Sequence, residues 1–197
     1  MYSKTHTKAI VVGYHDVGEA SRLYRLFTRD LGMVFARCQS SRTTASKHRY
    51  SLQLLSVCDV SLIRSKSGWR LTNAVPLTSL FTVHEKNPHA RALVTRVLAL
   101  VRRMVVGEEQ GIELFDLVWN GLAFLETGNV SQENMKWFEA LFVLRILNVL
   151  GYVQKDDAYT PHLSSSSEFS LELIESFAPA HKTAITEINR ALEASHL

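Results

Sequence analysis

The apolar positions of this chain change period near its middle. Ala9 to Val12 is a short apolar run, Met33/Phe35/Arg37 alternate with Val34/Ala36/Cys38, and Leu52, Leu54, Cys58, Val60 and Leu62 share one face of a segment from Ser51 to Ile63. Alternation of this kind predicts strands, because successive side chains of extended backbone point to opposite faces. Turn-forming clusters separate the runs: Asp30-Leu31-Gly32, and Ser65-Lys66-Ser67-Gly68 ahead of a further strand at Trp69 to Thr72. The segment Ser21 to Thr28 suits either element, since Leu23, Leu26 and Phe27 fit a helix while Tyr24, Leu26 and Thr28 fit a strand face. About five short strands in roughly 75 residues predict a small antiparallel barrel or sandwich.

From Asn87 onward the period is helical. Asn87 reads as an N-cap with Pro88 at the first helical position, and Leu93, Val94, Val97, Leu98, Val101, Met104 and Val105 form a stripe that Gly107 ends. Further helices are predicted from about Ile112 to Glu126, from Ser131 as N-cap to Leu150 with Gly151 beyond it, from about Ser167 to Phe177, and from Pro179 to about Ser195. The segment Met135 to Leu150 is apolar nearly all round, which predicts the central helix of a bundle. The boundary is expected between residues 76 and 84, giving an α+β chain with an all-β domain at 1–80 and an all-α domain at 81–197.

Charge follows the same division. Residues 1–80 carry twelve Lys/Arg against four Asp/Glu, and residues 81–197 carry ten against fifteen, so a formal +3 hides a basic half and an acidic one. A basic half of this kind is the electrostatic footprint of a polyanion partner, and nucleic acid is the first hypothesis. No apolar run is long enough for a secretory segment or a membrane span, so the expectation is a soluble, cytoplasmic chain without a membrane partner. Cys38 and Cys58 each lie in an alternating run, which places both thiols on core faces and fits a reducing compartment.

The basic residues concentrate around one loop. Arg42, Lys47 and Arg49 lie in a polar stretch, Arg37 extends the charge into the preceding strand, and Arg25 and Arg29 flank Phe27. With Phe27, Phe35 and Trp69 interleaved as possible base-stacking platforms, this is the composition of a groove that tracks a phosphate backbone and stacks unpaired bases. The eight His are scattered and no Cys-x-x-Cys, Gly-x-Ser-x-Gly or phosphate loop is present, so neither a metal, a cofactor nor a catalytic nucleophile is expected. Arg145, between Leu144 and Ile146 in the most apolar helix, has two readings: a buried cation paired with a carboxylate such as Glu139, or an anchor for an acidic peptide.

Taken in order, several segments resemble the RecO family of bacterial recombination mediators: Gly13 to Leu23, Leu26 to Gly32, Ser46-Lys47 with Arg49 and Leu52-Gln53, Trp69 to Ala74, Trp137-Phe138-Glu139, and Leu144 to Tyr152. The collinearity runs over nearly the whole chain. The resemblance implies an OB-fold followed by a helical domain, with Ser21 to Thr28 a strand. It implies a non-enzymatic, nucleoid-associated protein that binds single-stranded and double-stranded DNA and anneals complementary strands. It also implies partnership with RecR and displacement of the single-strand-binding protein so that the recombinase RecA can load. The helical domain would receive the acidic tail of the single-strand-binding protein, with Arg145, Arg102 and Arg103 the candidate basic spot. Many members carry a Cys-rich zinc site after the Leu-Gly-Tyr helix, whereas Val153 to Glu168 holds no Cys, so zinc is not expected here.

Overall fold

The computed structural model describes residues 4–39, 51–83, 87–108, 111–127, 130–164 and 168–195. Five strands come first: β1 (Lys4–Val17), β2 (Ser21–Thr28), β3 (Gly32–Cys38), β4 (Ser56–Ser65) and β5 (Gly68–Ser79). They close into a barrel in the order β1-β2-β3-β5-β4. Every neighbouring pair is antiparallel except β3 with β5, which run parallel and meet only at Ala36/Trp69 and Arg37/Arg70. The all-antiparallel expectation therefore fails at the closing seam, where two strands that are not consecutive in the chain must meet.

β1 is far longer than its apolar run. Its first half pairs with β4 from Lys4 to Ile10 and its second half with β2 from Ala9 to Val17, with a register shift between Val11 and Gly13. A strand that serves two neighbours must bend, and an irregularity beside a glycine supplies the bend. Only the shared middle is buried on both faces, which is why only Ala9 to Val12 reads as apolar. Ser51 to Leu55 is turn rather than strand: Leu55 has φ +65°, and Leu54 is half exposed.

The lumen is filled by Ala9, Val11, Tyr24, Leu26, Val34, Ala36, Cys38, Leu52, Cys58, Val60, Leu62, Leu71 and Ala74, with Leu31 and Trp69 packed against them. Both cysteines are buried, as the alternation predicts. Burial pushes the Cys58 thiol up to about 11, and Asp59 adds to the shift. Two outward positions, Ile10 and Phe27, are also wholly buried.

A single helical turn, Leu80–Val83, packs on β4 and β5, and helix α1 (Pro88–Met104) packs on β1. The Asn87 side chain caps α1 by accepting from the Ala90 N–H at 3.1 Å. The chain divides into two compact units, Met1–Gly111 and Ile112–Leu197, so α1 belongs with the barrel.

The second unit holds α2 (Ile112–Thr127), α3 (Gln132–Val149), α4 (Leu171–Phe177) and α5 (His181–Ala194). Ser131 caps α3 and Ser170 caps α4, each accepting a backbone N–H three residues on. Gly151 beyond α3 takes φ +81°, a conformation glycine adopts without strain. Helix α3 packs against α2, α4 and α5, which makes it the central element. Phe124, Phe138, Phe142 and Phe169 form an aromatic cluster beside it, with Phe138 and Phe142 edge-on to Phe169 at 5.1 and 5.3 Å.

Candidate nucleic-acid interface

Strand register decides which charged residues share a face. Arg25 lies opposite Phe35, Leu23 opposite Arg37, and Arg37 beside Arg70. Because residues two apart on a strand point the same way, Leu23, Arg25, Phe35, Arg37 and Arg70 all project from the outer surface of β2, β3 and β5. Phe35 is 48% exposed, a large aromatic ring left in solvent, and the Arg25 guanidinium lies 5.3 Å from its centroid. Arg37 and Arg70 are exposed.

The C-terminal turn of α1 adds to this face. Across β1, Arg25 is opposite Gly13, and Arg102 Nη1 lies close to that position, 3.9 Å from where a Cβ would stand, an ordinary contact distance. Arg25 Nη2 donates to the Arg102 carbonyl, and Arg25 Nε is buried with no hydrogen-bond partner among the described residues. Burial holds the Arg25 pKa below its ordinary value, and the positive charge of Arg102 lowers it further. Two guanidinium groups held together in this way favour an anion between or beside them. In OB-folds this outer strand 2–3 surface, flanked by the β1–β2 and β4–β5 turns, is where oligonucleotides bind. Here those turns are Gly18 to Ala20 and Lys66-Ser67.

Several residues expected at the interface lie elsewhere. Phe27 shares the outward direction of Phe35 but is wholly buried, so it is core and not a stacking platform. Arg29 sits in the turn after β2, lining a separate cleft of about 790 Å³ with Lys4, Lys8, Asp30 and Asp59. Trp69 is half-buried against the barrel core and donates its indole N–H to Glu108 at 2.9 Å. Arg42, Lys47 and Arg49 lie outside the described residues. Conversely, Arg70 and the pairing of Arg25 with Arg102 are not marked by any sequence spacing; only register and the packing of α1 reveal them.

The expected peptide-binding spot does not hold together. Arg145 has no solvent exposure: its Nε donates to the His162 carbonyl at 2.7 Å and its guanidinium lies 4.8 Å from the Phe169 centroid. Burial lowers its pKa to about 10, which leaves it charged at neutral pH. It is a structural cation of the helical core and cannot reach a peptide on the surface. Arg102 and Arg103 belong to the other unit, where both are exposed.

Among the described residues no three His, Cys, Asp or Glu side chains converge as metal ligands, and the two thiols face the barrel core. The described residues therefore offer no ligand set that fits a zinc centre. Among the described residues no helix is long and apolar enough to cross a membrane.

Comparison with known proteins gives one answer. The family model for the N-terminal domain of recombination protein O matches residues 1–80. A DNA repair protein RecO from Dehalococcoides mccartyi is 31% identical over 133 residues, covering 68% of this chain and 52% of that protein. Proteins of the same name from Rubrobacter xylanophilus and Heliobacterium modesticaldum are 28% and 29% identical, over 77% and 74% of this chain and 59% and 50% of their own lengths. The chain spans about half the length of the curated relatives it matches.

Proposed function

Because this chain belongs to the RecO family, we propose that it is a DNA repair and recombination mediator acting by binding rather than by catalysis. It binds single-stranded and duplex DNA, anneals complementary strands, and helps load a recombinase onto DNA coated with single-strand-binding protein. RecR and the single-strand-binding protein are its protein partners, engaged through the helical unit, and its place is the bacterial cytoplasm at the nucleoid. DNA binding belongs to the barrel unit.

The observation that carries this reading is the outer row of Arg25, Phe35, Arg37 and Arg70, with Arg102 beside Arg25. Arginines contact phosphates whatever the sequence, while an exposed ring stacks on any base, so recognition is of the strand and not of a site. If about five phosphates are neutralised, log K falls against log salt with a slope of roughly −3.5 on single strands and −4.5 on duplex.

The test is binding of a labelled oligothymidylate and a duplex at two salt concentrations. Arg37→Ala with Arg70→Ala should weaken both and flatten the single-strand slope by about 1.4, two contacts' worth. Phe35→Ala should weaken the single strand selectively, since a base stacked on an aromatic ring is worth ~1–3 kcal/mol. A wild-type chain that binds neither substrate, or a slope near zero, ends the DNA reading. Failure to anneal strands coated with single-strand-binding protein would leave a generic single-strand binder instead of a mediator.

A further inference from the structure

β3 and β5 pair at only two positions, and the chain leaving α1 uses the gap. The Met33 N–H donates to the Gly107 carbonyl at 2.9 Å, with Gly107 at φ +88°. This places Glu108 at the β4–β5 hairpin, where one carboxylate oxygen accepts from Trp69 Nε1 at 2.9 Å and the other pairs with Arg64 Nη1. The Arg64 guanidinium lies 4.9 Å from the Trp69 ring centroid, its cross-strand neighbour. An anion, a guanidinium and an indole are thus gathered in one cluster at the hairpin end of the barrel, whereas Arg70, the next residue of β5, pairs with Ile63 and points to the outer face. The carboxylate is held by two donors that would serve a phosphodiester oxygen equally well.

We propose that Arg64 and Trp69 form a phosphate subsite for single-stranded nucleic acid, and that Glu108 occupies it as a phosphate mimic in the free protein. A backbone phosphate displaces the carboxylate and takes the Arg64 guanidinium and the indole N–H, carrying the strand's path from the outer basic row over the barrel rim at the β4–β5 hairpin. The exchange is feasible because the Arg64–Glu108 pair is exposed and so weakly held; the two side chains are 57% and 39% accessible. This inference rests on the DNA-binding reading above.

The experiment compares full-length wild type, Glu108→Gln, Arg64→Ala and the double variant, using anisotropy of a labelled oligothymidylate at two salt concentrations. Glu108→Gln should tighten binding about threefold to fivefold, the scale of an exposed ion pair, and Arg64→Ala should flatten the slope by about 0.7. In the double variant the gain should vanish. Trp69 emission, isolated by difference against Trp69→Phe, should change on DNA addition as the indole exchanges acceptors. An unchanged or weakened Glu108→Gln, or a gain that survives Arg64→Ala and so reflects net charge alone, overturns the subsite. If wild type binds DNA through Arg37 and Arg70 while Glu108→Gln changes nothing, only the subsite falls. If neither wild type nor Glu108→Gln binds, the DNA reading falls with it.

Discussion

The two units of this chain use arginine in opposite ways. The barrel unit, residues 1–111, carries 17 Lys/Arg against 7 Asp/Glu, and residues 112–197 carry 5 against 12. The contact boundary at residue 111 thus sharpens the charge contrast beyond the division at residue 80, because α1 brings Arg91, Arg96, Arg102 and Arg103 to the barrel. In the barrel unit, Arg37, Arg70 and Arg102 stand in solvent, and Arg25 lies against an exposed phenylalanine. In the helical unit Arg145 is sealed over a buried one. A guanidinium–aromatic contact is thus open to water in one unit, at Arg25 and Phe35, and sealed from it in the other, at Arg145 and Phe169.

Arg145→Ala is the strongest way to break that contrast. Removing the side chain opens a cavity beside Phe169 and leaves the His162 carbonyl without its charged donor, a combined cost of about 2–4 kcal/mol. Chemical denaturation should show that loss, while DNA affinity of the folded fraction stays at the wild-type value. Arg37→Ala should do the reverse, with stability within about 0.5 kcal/mol of wild type and weaker DNA binding. If Arg145→Ala leaves stability untouched, its burial is not what fastens the segment around His162 to α3.

A second substitution probes how tightly the helical unit is packed. A Cβ at Gly121 on α2 would fall under 3.0 Å from three ring carbons of Phe142 on α3, and Phe142 is wholly buried among other aromatic rings. Gly121→Ala should therefore destabilise by about 1–3 kcal/mol despite the better helix propensity of alanine. Gly18→Ala, in an open turn of the barrel with φ +66°, meets no neighbour and should cost only its backbone strain. Thermal melts of the two variants rank these costs directly, and a more stable Gly121→Ala would mean that α2 and α3 part easily.

The smallest expected effect is a pH dependence in the barrel core. Burial raises the Cys58 thiol to about 11 from the ordinary 9.0, so the folded barrel holds this proton to higher pH than the unfolded chain does. Stability from this group is complete below about pH 9 and is lost as pH rises through 11. Unfolding free energies measured across that window should fall more steeply for wild type than for Cys58→Ala. Equal slopes would mean that the thiolate is not excluded from the lumen.

Local pattern alone determined the change from strands to helices along the chain, the caps at Asn87 and Ser131, the burial of both cysteines and the centrality of the Met135 to Leu150 helix. Each of these follows from periodicity or from a residue's own backbone chemistry, which neighbours in sequence report faithfully. The resemblance to the RecO family resolved Ser21 to Thr28, where periodicity could not. Tertiary structure alone decided which charges act together. Phe27 and Phe35 obey the same alternation, yet one is covered and the other bare. Arg25 meets Arg102 across 77 residues because α1 packs on β1, and Arg145 is buried with its guanidinium against Phe169 and its Nε on the His162 carbonyl. A side chain's direction is local, but what covers it comes from elsewhere in the chain, and that covering separates a binding surface from a core.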